Sequence, residues 1–180
     1  IEVRVPRPDG DTYYLTTVKP ILNGQNAVTS VICISKEITE RKRMEQELQH
    51  LSMHDILTGL YNRNFFEVER VRIQTSRLFP VSIVVADVDN LKAVNDRHGH
   101  STGDELIRKI AHLLQKSFRS EDIVARIGGD EFAILLPEMD EIATQALVDR
   151  LRANLAKLDD PLISLSIGMA IGKKGCQLPD

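Results

Sequence analysis

The sequence predicts an α+β fold, in which helices pack against an antiparallel β-sheet. From residue 55 onward, short apolar strand patterns and amphipathic helical patterns follow in the order strand, helix, strand, strand, helix, strand. That order is the split βαβ plan, which is the ferredoxin-like arrangement. Residues 1–36 instead contain strand patterns with no helical pattern among them, so we expect a different unit at the start of the chain.

The first unit is predicted to contain three strands, over residues 1–5, 13–18 and 27–35, separated by turn-forming sequences. Three strands without a helix bury little apolar surface by themselves. Residues 1–36 resemble the C-terminal strands of a PAS sensor domain, which implies a partial PAS domain. An unrelated β-hairpin extension is the alternative interpretation.

Residues 37–52 are predicted to form a signalling linker helix, with Thr39 capping its start. Met44, Leu48 and Leu51 are spaced four and three residues apart, so they share one face of this helix. Such a stripe on a charged helix is typical of a two-stranded coiled coil between protomers. A solvated connector is an equally weighted alternative.

The second unit has seven predicted elements. Phe65, Phe66 and Val71 are assigned to the core, and Thr102 with Glu105 forms a capping-box pattern. The elements are helix 62–79, strand 81–88, helix 102–118, strand 123–127, strand 132–136, helix 140–158 and strand 163–171.

Composition excludes several functional classes. The chain has 180 residues and a formal net charge of −3, which argues against a basic nucleic-acid-binding surface. Its apolar runs are far shorter than the roughly 20 residues that span a bilayer. Cys33 and Cys176 are far apart and lack metal-ligand spacing, so we expect two reduced thiols. These observations predict a cytoplasmic protein with no membrane segment and no nucleic-acid partner.

Acidic residues mark the ends of two predicted strands. Asp87 ends an apolar strand, Asp89 follows two residues later, and Asp130-Glu131 follows Gly128-Gly129 between two strands. A carboxylate at the end of an apolar strand is costly unless it is paired or bound to a cation. If the two strands are neighbours, Asp87 and Asp130 converge on one face. Carboxylate oxygens beside phosphate are suited to Mg²⁺, and paired ions assist in-line displacement at phosphorus.

The residues of this second unit resemble the GGDEF domain of diguanylate cyclases over residues 53–172. The resemblance implies a palm, or nucleotidyl cyclase-like, catalytic domain over residues 53–180. This domain is predicted to be C-terminally truncated, because the family continues into a further helix and strand. The motifs that carry the resemblance are Asp55-Ile56-Leu57-Thr58-Gly59-Leu60-Tyr61-Asn62-Arg63, Asp87-Val88-Asp89-Asn90-Leu91-Lys92, Asn95-Asp96, Gly99-His100, Gly103-Asp104 and Gly128-Gly129-Asp130-Glu131-Phe132.

The resemblance implies that two GTP molecules are condensed into cyclic di-GMP, with release of pyrophosphate. Each active site holds one GTP, so the reaction implies a homodimer, formed here through the PAS segment and the linker helix. Two Mg²⁺ ions per site are implied, with Mn²⁺ as an alternative. The implied metal ligands are Asp87, the carbonyl of Val88, and Asp130.

The resemblance also assigns roles to the remaining residues. Asp130, Lys92 and Glu131 are the implied catalytic residues, with Lys92 neutralising phosphate charge. The implied substrate-binding residues are Asn95, His100, Asp104, Gly128 and Gly129. Asn95 and Asp104 would read the guanine edge, since an amide donates and accepts while a carboxylate accepts two N–H groups. A packing histidine in a turn is the alternative for His100.

Arg119-Ser120-Glu121-Asp122 matches the family's inhibitory product site, at which cyclic di-GMP binds to Arg119 and Asp122. An ordinary surface ion pair is the alternative, and Arg126 either adds to that site or pairs with neighbours. At the level of function, the alternative to the enzyme is a catalytically silent GGDEF domain that binds cyclic di-GMP. Retention of Asp130 and Glu131 favours the enzyme.

Overall fold

A computed structural model describes residues 1–8, 10–158 and 160–173 of the chain. The chain divides into two compact units, Ile1–His50 and Leu51–Asp180. The predicted thiol of Cys176 and the predicted truncation of the second unit lie outside the described residues. No helix in the described part of the chain is long and apolar enough to cross a membrane.

The first unit contains the three predicted strands in one antiparallel sheet of order β1-β2-β3. The strands are β1 (Glu2–Val5), β2 (Thr12–Leu22) and β3 (Val28–Glu37), and helix α1 (Thr39–Met53) follows. The assignment of these strands to a PAS domain stays a prediction.

Thr39 does not cap α1, so this prediction is wrong. Its hydroxyl accepts a hydrogen bond from the backbone N–H of Tyr13 at 3.0 Å and donates one to the Glu37 carboxylate at 2.9 Å. Thr39 therefore ties the start of α1 to β2. The apolar stripe of α1 is exposed, and Leu48 is its most exposed member. Both interpretations of the linker remain open.

The second unit is built on a five-stranded sheet of order β4-β6-β7-β5-β8. The pairs β6–β7, β7–β5 and β5–β8 are antiparallel, which confirms the predicted ferredoxin-like order. A short edge strand, β4, was not predicted and pairs in parallel with β6. The strands are β4 (Tyr61–Asn62), β5 (Val81–Val88), β6 (Ile123–Arg126), β7 (Glu131–Pro137) and β8 (Leu165–Gly172).

Helices cover both faces of this sheet, and they are α2 (Arg63–Gln74), α3 (Leu91–His98), α4 (His100–Ser117) and α5 (Glu141–Ala156). Alternate residues of β5 and β7 enter two different cores because side chains alternate across a sheet. Val84 and Ile134 pack with α4 and α5, whereas Ile83 and Leu135 pack with Phe66 of α2. Burial on both faces explains the nearly continuous apolar sequence of β5.

Helix α2 is shorter than predicted. It ends at Gln74, because the hydroxyls of Thr75 and Ser76 donate to carbonyls of its last turn at 3.0 and 2.7 Å. Val71, which was assigned to the core, is 56% exposed, so that assignment is wrong. Asn62 caps the start, since its side chain accepts the backbone N–H of Phe65 at 3.0 Å.

The segment between β5 and α4 forms a helix that was not predicted. Asn90 (φ 58°) precedes α3, and Gly99 (φ 87°) separates α3 from α4. The predicted capping box is wrong, because α4 begins at His100 and has no side-chain cap. The hydroxyl of Thr102 instead donates to the carbonyl of His98 at 3.0 Å.

Candidate functional site

The candidate site begins at the end of β5, where three polar side chains share one face of the sheet. Asp87 is the register partner of Glu131 on β7 and of Ser166 on β8. Directly opposed residues in an antiparallel sheet project to the same side. Asp87 and Glu131 therefore lie side by side at this end of the sheet.

Asp130 is held next to β5 by its main chain. Its carbonyl accepts the backbone N–H of Val88 at 2.9 Å, one residue beyond Asp87. Burial raises the pKa of Asp87, and the negative charges of Asp130 and Asp89 raise it further. The negative charge of Asp130 therefore disfavours ionisation of the Asp87 carboxyl.

Asp89 lies on the same side of the sheet, but its carboxylate is hydrogen-bonded to residues at the start of β8. Its carboxylate accepts hydrogen bonds from the hydroxyls of Ser164 and Ser166, the latter at 2.7 Å. The Ser164 and Ser166 hydrogen bonds lower the pKa of Asp89. The surroundings therefore raise the pKa of Asp87 and lower the pKa of Asp89, although the two residues are only two positions apart.

The two hairpin glycines differ in their surroundings. Neither has a positive φ, so neither position requires the left-handed backbone conformation that favours glycine. A Cβ on Gly128 would lie 2.4 Å from a carboxylate oxygen of Glu131, whereas one on Gly129 would meet nothing within 4 Å. Gly128 thus makes room for the Glu131 side chain, and the main chain at Gly129 is open to approach.

Arg126 holds this hairpin from β6. Its guanidinium donates to the Asp55 carboxylate at 3.1 and 3.4 Å and to the carbonyl of Gly129 at 2.7 Å. Burial alone would raise the pKa of Asp55, but hydrogen bonds from Thr58 and Arg126 outweigh it and lower the pKa. Sequence reasoning offered Arg126 as a product contact or a local partner, and the structure shows the second.

Asn95 and Gly103 are in direct contact across α3 and α4. A Cβ on Gly103 would lie 1.9 Å from the side-chain oxygen of Asn95, so only glycine fits there. That oxygen is buried and has no hydrogen-bond partner. A buried acceptor without a partner is costly, which makes Asn95 a candidate for a residue whose hydrogen bond is completed by a ligand. Asp104 is exposed and adjoins Gly103 in α4.

Lys92 and His100 are exposed at the starts of the two helices that flank Asn95. Lys92 lies in the first turn of α3, four residues beyond the end of β5. His100 is the first residue of α4. Neither side chain is needed for packing, which disfavours the alternative that assigned His100 to packing.

Arg119 and Asp122 lie in one turn between α4 and β6. The Asp122 carboxylate accepts the backbone N–H of Arg119 at 2.8 Å, and burial raises the pKa of Asp122. The guanidinium of Arg119 is 69% exposed. A cavity of about 400 Å³ opens beside the turn, and its wall includes His54, Tyr61, Gln115, Phe118, Arg119 and Asp122.

The donor set suits a metal ion shared with a ligand. Over the described ranges, no three His, Cys, Asp or Glu side chains are clustered so that they could hold an ion. Mg²⁺ usually binds one or two carboxylates and completes its shell with water and phosphate oxygens. Asp87 and Asp130 supply such a pair, and their mutual repulsion would be relieved by a cation.

Comparison with known proteins gives a consistent result. Residues 52–177 match the family described as "Diguanylate cyclase, GGDEF domain". The chain is 35% identical over 150 residues to diguanylate cyclase DgcM of Escherichia coli, covering 78% of this chain and 36% of that protein. It is 36% identical over 164 residues to diguanylate cyclase DosC of Escherichia coli, covering 86% and 35%. The chain therefore spans about a third of these relatives.

A solved structure matches the fold as well. The coiled coil and GGDEF domain of DgcB from Caulobacter crescentus, in complex with c-di-GMP, superimposes with a TM-score of 0.69 at 27% identity. The match covers 77% of this chain and 79% of that one. The GGDEF domain of FimX from Pseudomonas aeruginosa matches with a TM-score of 0.64 at 25% identity, covering 70% and 83%. These similarities agree with the α+β fold and its five-stranded sheet described above.

Proposed function

The chain belongs to the GGDEF-domain family of diguanylate cyclases, and from that membership we propose that it condenses two GTP molecules into cyclic di-GMP with release of pyrophosphate. The observation that carries the proposal is the meeting of two acidic strand ends. Asp87 lies beside Glu131 in register, and Asp130 binds β5 through its carbonyl.

We propose that Asp87, the carbonyl of Val88, and Asp130 hold two divalent cations, Mg²⁺ or Mn²⁺, against the triphosphate. Divalent ions are the general requirement of this family, and the raised pKa of Asp87 supports a cation beside it. When bound, the ions supply charge neutralisation at the reacting phosphate and lower the pKa of the attacking hydroxyl. Asp130 is the proposed acceptor of the 3′-hydroxyl proton, and Glu131 supports it electrostatically.

The nucleoside is proposed to bind along α3 and α4. We propose that the partnerless oxygen of Asn95 accepts a guanine N–H and that the exposed carboxylate of Asp104 accepts two more. His100 is proposed as a further contact. Lys92 would neutralise phosphate charge in the transition state, and the open main chain at Gly129 permits close approach of the triphosphate.

Replacing Asp130 by Ala tests the metal assignment. We expect cyclic di-GMP formation from GTP to fall by at least about 10²-fold, the scale of losing one electrostatic catalytic group. The thermal unfolding midpoint should change little, because the backbone bond from Val88 to residue 130 is retained. Asp149→Ala, at an exposed carboxylate on α5, is the matched control. Normal turnover in Asp130→Ala would refute the assigned role.

We further propose that Arg119 and Asp122 bind cyclic di-GMP and inhibit turnover. The exposed guanidinium and the adjoining cavity support this, since a fork of N–H donors can bind phosphate or a guanine edge. Arg119→Ala should relieve inhibition by added cyclic di-GMP while leaving the initial rate in its absence unchanged. Undiminished inhibition in that variant would refute the proposed product site.

The reaction requires two active sites facing each other, so we propose a homodimer that forms through the PAS segment and the linker helix. The exposed stripe of Met44, Leu48 and Leu51 supports the linker as part of that contact. Specific activity should then rise with protein concentration at low concentration. Binding of cyclic di-GMP without any turnover of GTP would instead support the silent binding module.

A further inference from the structure

Asp55 lies two residues after the end of α1 and is the centre of a compact hydrogen-bond network. Its carboxylate accepts the backbone N–H of Thr58 at 3.0 Å and the hydroxyl of Thr58 at 2.7 Å. The same oxygen accepts the guanidinium of Arg126 at 3.1 Å. Asp55 thus fixes the loop that follows α1 and also binds a strand that is 71 residues away in sequence.

Arg126 extends this network to the hairpin between β6 and β7. One guanidinium nitrogen binds Asp55 and the other donates to the carbonyl of Gly129 at 2.7 Å. Gly129 immediately precedes Asp130 and Glu131. The planar guanidinium therefore connects the loop after α1 to the residues proposed to act on GTP, through two hydrogen bonds of fixed relative direction.

Partial burial strengthens the bond between Arg126 and Asp55. The side chains of Arg126 and Asp55 are only 14% and 24% exposed. A charge-assisted hydrogen bond in a partly buried setting is stronger and less screened than one at the surface. The main chain of the hairpin is also held by hydrogen bonds: Ile127 and Gly128 donate to the carbonyl of Glu131 at 2.9 and 3.3 Å, and the carbonyl of Asp130 accepts the N–H of Val88 at 2.9 Å. The bond from Arg126 to the carbonyl of Gly129 adds a side-chain restraint to these.

We propose that Arg126 is a positioning residue, which sets the hairpin that carries Asp130 and Glu131 and is itself held in place by Asp55. This inference rests on the proposed function for the role of the hairpin. The loop after α1 and the proposed catalytic hairpin then act as one element. A change that releases Asp55 loosens the hairpin through Arg126, without any contact between Asp55 and the substrate.

The test compares Arg126→Gln, Asp55→Asn and the double variant with the wild-type protein. Arg72→Gln, which breaks the exposed Arg72–Glu69 pair on α2, is the matched control. Turnover and KM for GTP are measured together with amide hydrogen exchange at Ile127 and Val88. Val88 reports the hairpin because its N–H donates to the Asp130 carbonyl.

We expect Arg126→Gln to speed exchange at these two amides by about tenfold or more, the scale of one lost charge-assisted hydrogen bond. Turnover should fall by up to about 10²-fold with a smaller change in KM, because misplacing a reacting group affects the chemical step. Asp55→Asn should also speed exchange at these two amides and lower turnover. The double variant should be no worse than Arg126→Gln, because Asp55 works through Arg126.

Arg126→Lys separates positioning from simple ion pairing. Lysine keeps the charge facing Asp55 but lacks the fork that also reaches Gly129. It should therefore restore much of the thermal midpoint lost in Arg126→Gln while hairpin exchange stays fast. If Arg126→Gln does not fold, Asp55→Asn and Arg126→Lys supply the same readouts.

Unchanged exchange at Ile127 and Val88 in the folded variants would overturn the proposal. Multiplying effects in the double variant would also overturn it, since the two residues would then act independently. If the wild-type protein makes no cyclic di-GMP but the variants show the expected faster exchange, the proposed function would be refuted and the positioning role of Arg126 would be retained.

Discussion

Replacing Gly103 by Ala should displace Asn95 and weaken GTP binding without touching the proposed metal ligands. The new Cβ would lie 1.9 Å from the side-chain oxygen of Asn95 and 2.9 Å from its carbon. An ordinary contact begins near 3.4 Å, so the amide has to move by about 1.5 Å. The contact lies between two helices, where neither backbone can readily yield.

Two effects on stability oppose each other in this variant. Overpacking of a tight contact costs about 1–3 kcal/mol, while replacing glycine inside a helix contributes about 1 kcal/mol. The net cost of about 1 kcal/mol predicts a fall of about 4 °C in the unfolding midpoint. Loss of one or two hydrogen bonds to guanine raises KM for GTP by about 10–100-fold, since each costs about 1–1.5 kcal/mol.

The assay measures thermal unfolding and GTP kinetics in Gly103→Ala, Asn95→Ala and the double variant. In the double variant the clash is gone, so the unfolding midpoint should recover while KM stays high. Ser101→Ala, at an exposed position in the first turn of α4, is the control. If Gly103→Ala keeps a normal KM, then either the amide moves freely or Asn95 does not contact the substrate, and the reasoning fails.

Three further predictions concern stability. The pKa of Asp87 is raised in the folded state, so its ionisation lowers the free energy of unfolding above that pKa. Asp87→Asn should therefore be more stable than the wild-type protein at pH 7 without divalent ions. This gain should vanish toward about pH 4, where the carboxyl is protonated in both states. Asp89 has a lowered pKa in the folded state and contributes stability at pH 7, so Asp89→Asn should be less stable there, and this loss should shrink as the pH falls. If urea unfolding gave changes in unfolding free energy of the same sign for Asp87→Asn and Asp89→Asn, the assignment would be contradicted. Thr144→Val removes a buried hydroxyl that bonds Ser82 and should cost about 1–3 kcal/mol by urea unfolding, whereas Thr144→Ser should retain most of that stability; equal losses in the two variants would assign the effect to packing.

The larger elements were predictable because they have clear periodicity. The apolar run of β5 and the leucine spacing of α5 identified a strand and a helix that the structure contains, and Asp140 caps α5 by accepting the N–H of Ala143 at 2.9 Å. Helix α3 was missed because it has only eight residues. Its start and end also depend on positive φ angles, at Asn90 and Gly99. Local sequence gives little indication of such conformations.

Capping predictions failed where other hydrogen-bond partners engaged the same hydroxyl. Thr39 and Thr102 both stand near helix starts and suit an N-cap by residue type. Thr39 instead bonds the backbone of β2, and Thr102 bonds the last turn of α3. The partner of Thr39 is 26 residues away, whereas the partner of Thr102 is only four residues away and depends on the positive φ of Gly99 between α3 and α4. The Asn95–Gly103 contact likewise depends on how α3 and α4 are packed.

The strand that carries Arg126 pairs with β4, a strand that was not predicted. Strand β4 has only two residues, too few to show an alternating pattern, yet it pairs Asn62 with Arg126 in parallel register. The side chain of Asn62 also donates to the carbonyl of Ser52 at 2.9 Å and accepts the N–H of Phe65. One asparagine thus joins the end of α1, the start of α2 and the strand that carries Arg126. These bonds connect the chain that enters the second unit to the strand that carries Arg126, and Arg126 in turn donates to the hairpin at Gly129.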